Sequence, residues 1–346
     1  MDGEFRVRPL TPDDAPRWDA FVARCPEATF FHRAGWESVI RRAFGHETHF
    51  LYAERDGAVA GVLPLVRTRS WLFGSALVST PFCVYGGIAA DSEPARRALD
   101  RAARERAERL RVGHLEYRHR DRPLHEDWPR SQLYATFRKR LDPDVEANFQ
   151  AIPRKQRRMV RQGAKAGLSA QWDEDPARFC DLYAASLHRL GTPAFPRRYF
   201  GLLREVFGDA CRVLTVLTPQ GEPVAAVMAF FFRDEVLPYY GGGTERARAV
   251  AGFDLLYWAL MQRACEAGCG VFDFGRSKQG TGAFNFKRNW GFEPQGLPYE
   301  YGLYRARRVP DHNPLNPRYQ RAVRLWRRLP LPVANWLGPR VVRNLG

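Results

Sequence analysis

The fold is decided by a stretch that begins Gly221-Glu-Pro-Val-Ala-Ala-Val-Met-Ala-Phe-Phe-Phe232, an apolar run of strand length that follows a turn. A second strand over Val236 to Tyr240 leads into Gly241-Gly242-Gly243. A helix over about Phe253 to Ala267 is then predicted by an apolar face of Phe253, Leu256, Tyr257, Leu260, Met261 and Ala264. Gly270-Val-Phe-Asp-Phe-Gly-Arg276 returns as a strand. The order strand, strand, helix, strand predicts a mixed α/β unit.

The first half of the chain shows the same order, about one domain length earlier. Gly57 to Val66 is expected to form a strand after a turn, and a second apolar strand is expected to end at Val84-Tyr85-Gly86-Gly87. A helix is predicted over Pro94 to Leu110, and Gly113 to Arg118 returns as a strand. The chain therefore carries the unit twice.

Further predicted helices open each half of the chain. They cover Asp14 to Cys25, Gly35 to Phe44, Pro153 to Lys165, Pro176 to Leu190 and Arg197 to Phe207. A strand over Leu133 to Leu141 closes the first half, with a hinge near Asp142-Pro143. We therefore expect two tandem α/β modules, over residues 1–142 and 143–308, and a basic amphipathic tail over residues 309–346.

The composition excludes several classes of protein. The 346 residues are 45% hydrophobic and 13% aromatic, which excludes a disordered or fibrous chain. No apolar run approaches the roughly 20 residues of a membrane-spanning helix, and Met1 to Phe5 lacks the pattern of a secretory signal, so a cytoplasmic protein is expected. The six cysteines lack zinc-site spacing, which predicts free buried thiols with neither disulfide nor structural metal.

The net charge of +16 is concentrated in two segments. Residues 151–167 hold six basic side chains and no acid, and residues 303–346 hold ten arginines and one acid. The basic residues of the first segment are Arg154, Lys155, Arg157, Arg158, Arg161 and Lys165. Several of them share one face of the predicted helix, which favours an anionic ligand over a solvated face. A nucleotide-sugar diphosphate, a lipid diphosphate and tRNA all fit this charge.

Six short motifs accompany the two units and span nearly the whole chain. They are Thr29-Phe-Phe-His-Arg-Ala-Gly-Trp36, Gly61-Val-Leu-Pro-Leu65, Ile152-Pro-Arg-Lys-Gln-Arg-Arg-Met-Val-Arg161, Gly191-Thr-Pro193, Phe272-Asp-Phe-Gly-Arg-Ser277 and Phe284-Asn-Phe-Lys-Arg-Asn-Trp-Gly291. Together with the two units they resemble the Gcn5-related N-acetyltransferase (GNAT) fold used twice, as in the Fem family of peptidoglycan aminoacyltransferases. With the tail, the chain is similar to the FemAB-like branch associated with PEP-CTERM and exosortase systems.

This resemblance implies an acyltransferase or aminoacyltransferase that acylates an amino group of a cell-envelope or exopolysaccharide precursor. In GNAT enzymes a Q/R-x-x-G-x-G/A loop holds the pyrophosphate of acetyl-CoA, and the corresponding stretch here is Arg248-Ala-Val-Ala-Gly-Phe253, with one glycine at a shifted place. The long helical arm of some tRNA-using Fem enzymes is not recognisable between the modules. The donor is therefore open between acyl-CoA and aminoacyl-tRNA. Either is a co-substrate, so no tightly bound cofactor is expected.

The leading candidate site is the pair Phe286-Lys287. The resemblance implies that it lies beside the transferred carbonyl and that Lys287 stabilises the tetrahedral intermediate. We further expect the acceptor amine to be directed at Lys287 and Arg276. Its aromatic setting, with Phe284 and Trp290, favours a functional site over a surface lysine on a helix.

Five residues on or near the returning strand are candidates for substrate binding or catalysis. Arg276 and Lys278 follow the end of the strand and fit a phosphate or carboxylate, or else a salt bridge to Asp273 or Glu293. Asp273 is a candidate general base, with an ordinary ion-pair partner as the alternative. Tyr239 and Tyr240 are placed to hydrogen-bond a substrate across the strand edge, or to pack.

Two further features point towards ligands or partners. His188, before Gly191-Thr192-Pro193, is placed to line an acceptor cleft or to be a buried structural histidine. Residues 318–346 alternate arginines with tryptophans and leucines. This pattern fits peripheral binding to the anionic inner face of the cytoplasmic membrane. It fits equally a tail that docks onto the second module. The acceptor is expected to be an anionic small-molecule or lipid-linked precursor. A non-catalytic scaffold of a sorting system and an RNA-binding protein are the alternative functions.

Overall fold

The structure, a computed structural model, describes residues 5–70, 74–309 and 317–344, together with the side chains of these ranges except 317–319. The predicted tail residues that fall outside these ranges, and the side chain of Arg318, are not described. In chain order the first half contains β1 (Arg6–Pro9), α1 (Ala15–Arg24), α2 (Gly35–Phe44), β2 (Glu47–Arg55), β3 (Ala58–Ser70), β4 (Gly74–Ser79), β5 (Ala89–Ala90), α3 (Glu93–Arg109), β6 (His114–Arg118) and β7 (Arg130–Ser131).

The second half contains more helix than the first. Its elements are β8 (Tyr134–Arg140), α4 (Val145–Ala151), α5 (Arg154–Lys165), β9 (Ser169–Asp173), α6 (Ala177–Leu190), α7 (Arg197–Phe207), β10 (Cys211–Leu217), β11 (Pro223–Phe232), β12 (Glu235–Gly243), α8 (Arg246–Ala249), α9 (Gly252–Glu266), β13 (Val271–Asp273), β14 (Ser277–Lys278), α10 (Gly282–Asn289), β15 (Pro294–Gly296), β16 (Tyr299–Leu303), α11 (Pro317–Arg328) and α12 (Leu331–Val342).

These elements form two compact units with one sheet each. Unit 1 comprises residues 1–132, 296–312 and 343–346, and unit 2 comprises residues 133–295 and 313–342. The sheet of unit 1 has the order β1-β2-β3-β4-β6-β16-β7, with β5 beside β3, and that of unit 2 has the order β14-β8-β13-β12-β11-β10-β9, with β15 beside β8. In each sheet a helix, α3 or α9, connects a parallel strand pair, β4 with β6 or β12 with β13. The expected duplicated α/β unit is confirmed.

Each sheet contains one strand that the sequence analysis assigned to the other module. Strand β8, expected to close the first module, pairs instead with β13 in unit 2, and β16 pairs with β6 in unit 1. Each exchanged strand covers a sheet edge that the parallel pair would otherwise leave unpaired. The compact units therefore differ from the expected ranges 1–142 and 143–308, although the repeated order along the chain is the one that the sequence shows.

One predicted strand of the first half lies elsewhere. The apolar stretch Val84 to Gly87 is a loop, and the strand before it is β4. The backbone turns at Thr80 and Phe82, which have φ values of 43° and 68°. Val84 and Tyr85 are nevertheless fully buried, so their apolar character reflects burial of the loop and not strand structure.

The glycines at the end of β12 allow α6 to lie directly on the strand. A Cβ atom on Gly242 would stand 2.5 Å from the Cα atom of Tyr183, and one on Gly243 would stand 2.7 Å from the ring of Phe253. Both separations are shorter than real carbon contacts. The three glycines therefore lie within β12 and serve the close helix–strand approach at this place.

Among the described residues, no helix has the length and apolar character needed to cross a bilayer. The six cysteines are free thiols; five of them are buried and Cys265 is half-buried.

Candidate active site

Strands β12 and β13 run side by side only briefly. Their parallel pairing covers Glu235 with Val271 and Val236 with Phe272. Beyond that point β12 continues beside β11 as far as Gly243, whereas β13 ends at Asp273. The carboxyl ends of parallel strands are where open α/β sheets bind ligands, so this end of unit 2 is the candidate active site.

A β-bulge in β12 sends its two tyrosines to different surroundings. Met228 pairs with Tyr240 and Ala229 with Pro238, which leaves Tyr239 as the extra residue. The ring of Tyr239 lies near Gly275, since a Cβ atom on that glycine would be 3.8 Å from the ring. The Tyr240 hydroxyl is 2.8 Å from that of Tyr199, within a buried aromatic cluster. Tyr239 therefore stays a candidate for substrate contact, whereas Tyr240 is part of the packing of the aromatic cluster.

The ammonium of Lys287 is the central polar group of this region. Its Nζ donates hydrogen bonds to the backbone carbonyl oxygens of Phe274, Gly275 and Arg276 at 2.7, 3.0 and 3.1 Å. Lys287 as a whole is half-buried, but its ammonium end lies inside, beside the rings of Phe137 and Phe274, with Nζ 5.5 and 5.9 Å from their centroids. The interpretation of Lys287 as a surface lysine is therefore wrong, because α10 directs its side chain beneath the segment that follows β13.

Burial lowers the pKa of Lys287 from 10.5 to about 7, and the negative charge of Asp273 opposes this change. At neutral pH the group is therefore close to losing its proton. Such a poised group at the end of a sheet is typical of functional sites.

We expect this pKa difference to appear in the pH dependence of stability. The folded protein loses the Lys287 proton near pH 7, but the unfolded chain holds it up to about pH 10.5, so the unfolded state binds more protons in between. The free energy of unfolding of the wild type, taken relative to Lys287→Met, should therefore rise from about pH 7 to about pH 10. Urea unfolding of both proteins across this range measures the difference, and a flat difference would contradict the buried ammonium.

Phe286, the other member of the predicted pair, belongs to an aromatic cluster. Its ring centroid lies 5.5 Å from that of Tyr257, 6.1 Å from that of Trp290 and 6.5 Å from that of Phe274. These rings fix α10 against α9 and the end of β13. Phe286 therefore contributes to the position of Lys287 through packing.

Asp273 is completely buried and fully engaged. Its carboxylate is 2.7 Å from the guanidinium of Arg138 and accepts hydrogen bonds from the Gly275 amide at 2.7 Å and the Thr136 hydroxyl at 3.3 Å. Arg138 also pairs with Glu235. Asp273 is thus paired with an arginine of β8. This geometry favours the ion-pair interpretation over a general base.

Arg276 and Lys278 share one aromatic partner. The guanidinium carbon of Arg276 is 4.8 Å from the ring centroid of Tyr134, and Nζ of Lys278 is 5.8 Å from it. Both cations are half-buried, so they stand at the rim of the candidate site. Tyr134, Thr136 and Arg138 alternate along β8, and sequence reasoning missed all three because it assigned this strand to the first module.

Tyr257 is a further residue that the sequence assigned only to an apolar helix face. A Cβ atom on Gly241 would stand 3.2 Å from its hydroxyl oxygen, which places that hydroxyl against β12. Its ring packs on Phe274 and Phe286, and burial raises the pKa of the phenol to about 12. Tyr257 therefore stays protonated at neutral pH, with its hydroxyl facing the strand that carries Tyr239.

The basic helix α5 exposes most of its charge. The exposed basic residues are Arg154, Lys155, Arg158, Arg161 and Lys165. Arg157 is half-buried, and its guanidinium donates to the carbonyl oxygen of Gln150 at 3.1 Å. On the opposite face, Nε2 of Gln156 donates to Asp254 at 3.0 Å, and Gly163 packs on Ala251 and Leu255. The basic helix thus lies against the amino-terminal end of α9.

His188 does not take part in this site. Its Nε2 lies 2.8 Å from the carbonyl oxygen of Leu329, in the tail. Of the two roles considered for His188, this contact favours the structural one over the acceptor cleft, since it holds the tail on α6.

Comparisons with known proteins agree with this fold. Residues 149–288, which include α9, β13 and Lys287, match the family model of the acetyltransferase (GNAT) domain. FemX is similar over 87% of this chain and 98% of its own, with 15% identity and a TM-score of 0.69. The chain therefore has a mixed α/β fold of two tandem GNAT-like modules.

Two further solved structures share the fold. The C-terminal domain (DUF2156) of a putative lysylphosphatidylglycerol synthetase from Agrobacterium fabrum is similar over 84% of this chain and 91% of its own, with 15% identity and a TM-score of 0.56. A tandem GNAT protein from the clavulanic acid biosynthesis pathway is similar over 87% of this chain and 98% of its own, with 15% identity and a TM-score of 0.52. Comparison with curated protein sequences gave no significant match. The fold and the GNAT-domain match support an N-acyltransferase.

Proposed function

We propose that this protein transfers an acyl or aminoacyl group to an amino group of a cell-envelope or exopolysaccharide precursor. The observation that carries the proposal is the convergence of the buried Lys287 ammonium and the bulged Tyr239 on Gly275, at the carboxyl end of β13. This is the side of an α/β sheet at which ligands bind. The GNAT-domain match includes these residues, and a neighbour in fold that is named a lysylphosphatidylglycerol synthetase supports aminoacyl transfer as one form of the reaction.

In this reaction the unprotonated amine of the acceptor attacks the carbonyl carbon of the donor. A C–N bond forms, the C–S or C–O bond of the donor breaks, and the amine proton passes to the leaving group through solvent. In the tetrahedral intermediate that forms before the donor bond breaks, the carbonyl oxygen carries negative charge. A buried cation stabilises this charge more strongly than an exposed one. Lys287 supplies that charge. Because its N–H groups donate to three carbonyl oxygens, it also fixes the backbone from Phe274 to Arg276.

The donor is a co-substrate, as in GNAT enzymes generally, and no tightly bound cofactor is needed. Acyl-CoA and aminoacyl-tRNA both carry phosphates. The basic face of α5 beside the amino-terminal end of α9 provides positive charge for such a group, or for the diphosphate of the acceptor. We assign α5 to the acceptor diphosphate, and Arg276 and Lys278 to orientation of the acceptor near Lys287.

Charge reversal on α5 tests this assignment. The triple variant Arg154→Glu, Arg158→Glu and Arg161→Glu is expected to raise the acceptor KM roughly 10-fold or more and to change kcat less, because remote phosphate contacts contribute to binding of substrate and transition state alike. These three side chains are exposed, so the fold should tolerate the change. The matched control reverses the exposed Arg97, Arg101 and Arg109 on α3 of unit 1. Equal KM values in both variants would show that the basic face of α5 is only exposed to solvent and does not bind the acceptor.

A non-catalytic scaffold is the second candidate function. It is favoured by one observation, that all three N–H donors of Lys287 are engaged by the main chain, as in a purely structural lysine. An RNA-binding protein is the third, and it would show affinity for generic RNA that falls steeply with salt. The kinetics of Lys287 variants separate the enzyme from both, since neither alternative turns over a substrate.

A further inference from the structure

The tail packs on unit 2 through one side of each of its helices. A Cβ atom on Gly191 would stand 2.6 Å from the side chain of Val323 in α11, and one on Gly338 in α12 would stand 3.0 Å from the carbonyl oxygen of Ala194. Arg327 donates to the carbonyl oxygen of Leu190 at 3.2 Å. Ala334 and Val342 are buried as well. These contacts hold the two helices on α6 and the loop that follows it.

Large apolar side chains on the other sides of the same helices face solvent. Leu325 is 65% exposed and Trp336 is 63% exposed, and Val333 is 40% exposed. Docking onto α6 leaves these side chains outside. The other tryptophan of the tail, Trp326, is half-buried. Exposed apolar side chains of this size on adjacent helices are typical of an interaction surface.

The charge around these apolar residues has a single sign. Residues 317–344 contain seven arginines and no acidic residue. Arg321, Arg324 and Arg328 flank Leu325 within α11 and are exposed, and the guanidinium of Arg340 lies 4.2 Å from the ring centroid of Trp336. Tryptophan and leucine beside arginines, without acids, is the composition of helices that lie in the plane of a membrane interface.

We propose that the exposed sides of α11 and α12 bind the surface of an anionic lipid bilayer. The apolar side chains enter the headgroup region while the arginines contact lipid phosphates, and the buried sides keep the helices attached to unit 2. This proposal does not depend on the acyl-transfer reaction. If both hold, lipid-linked precursors become available to the enzyme at the membrane surface.

The test is cosedimentation of the full chain with vesicles of phosphatidylcholine and phosphatidylglycerol in equal parts, and with vesicles of phosphatidylcholine alone. Point variants are used because removal of the tail would uncover α6. One variant carries Arg321→Gln, Arg324→Gln and Arg328→Gln, and a second carries Leu325→Ser and Trp336→Ser. The control carries Arg101→Gln, Arg109→Gln and Arg198→Gln, three exposed arginines elsewhere, and has the same net charge as the first variant.

The wild type is expected to bind the anionic vesicles and to bind neutral vesicles far more weakly. The tail arginine variant should lose roughly 100-fold in partitioning, since each arginine near an anionic surface contributes about fivefold. The apolar variant should lose roughly 10-fold or more, and the control should stay within about twofold of the wild type. Absence of wild-type binding, or equal losses in the tail variant and the control, would overturn the proposal. Full retention of vesicle binding by the apolar variant would also overturn the proposal. It would indicate a purely electrostatic surface, such as one that binds RNA.

Discussion

Lys287→Met is expected to lower kcat by roughly 100-fold or more while the acceptor KM changes only a few-fold, because the substitution removes charge that acts on the transition state. The variant should also lose roughly 1–3 kcal/mol of unfolding free energy, because the carbonyl oxygens of Phe274, Gly275 and Arg276 lose their donor. Steady-state kinetics and urea unfolding measure the two effects. Arg288→Met is the matched control, since it removes an exposed positive charge at the next position of α10.

The pH profile separates a catalytic contribution from a structural one. If the reaction uses the charge of Lys287, kcat of the wild type falls above about pH 7 as the group, whose pKa burial lowers to about 7, loses its proton. Lys287→Met should lack this decline over the range in which it stays folded. Full turnover in the variant, or a decline that persists in it, would reject the role of Lys287 and leave the scaffold as the better interpretation.

Asp273→Ala is expected to have the largest effect on stability, about 3–5 kcal/mol, because it removes a completely buried carboxylate that pairs with the half-buried guanidinium of Arg138. The Gly275 amide and the Thr136 hydroxyl lose their acceptor as well. Urea unfolding measures the loss. Asp234→Ala, at an exposed position of the hairpin between β11 and β12, is the control and should change stability little.

The conservative variant Asp273→Asn separates the two roles of this residue. The ion-pair interpretation predicts that Asp273→Asn, when folded, keeps kcat within about 10-fold of the wild type. A loss of 100-fold or more in a variant of normal stability would instead identify Asp273 as a general base.

Local patterns in the sequence predicted the repeated order of elements and most of the longer helices, although not the short helices α4 and α8. Helix α9 follows its apolar spacing: Leu256, Leu260, Met261 and Ala264 of the predicted face are buried. The helix buries Trp258 and Ala259 as well, outside that face. Pairing between distant strands leaves no comparable local pattern. The pairing of β8 with β13 depends on which sheet edge is free to accept a strand. The sequence of residues 134–140 does not indicate that partner.

The candidate site was predictable in part. Lys287 and Arg276 were predicted site residues, and the ammonium of Lys287 contacts the backbone carbonyl oxygen of Arg276. The guanidinium of Arg276 lies over the ring of Tyr134. The partners Thr136 and Arg138 were missed, although polar residues alternating with Ala135 and Phe137 signal a strand with one polar face. Burial of the Lys287 ammonium was unpredictable, because it depends on carbonyl groups more than ten residues earlier in the chain.

The most direct test of acyl transfer is mass spectrometry of envelope and polysaccharide precursors from cells that carry the wild-type chain, no chain, or Lys287→Met at matched protein levels. The proposed function predicts a precursor whose mass exceeds that of its unmodified form by one acyl or aminoacyl group on an amine, present with the wild type and absent in the other two. The same precursor masses in all three cell types would contradict it.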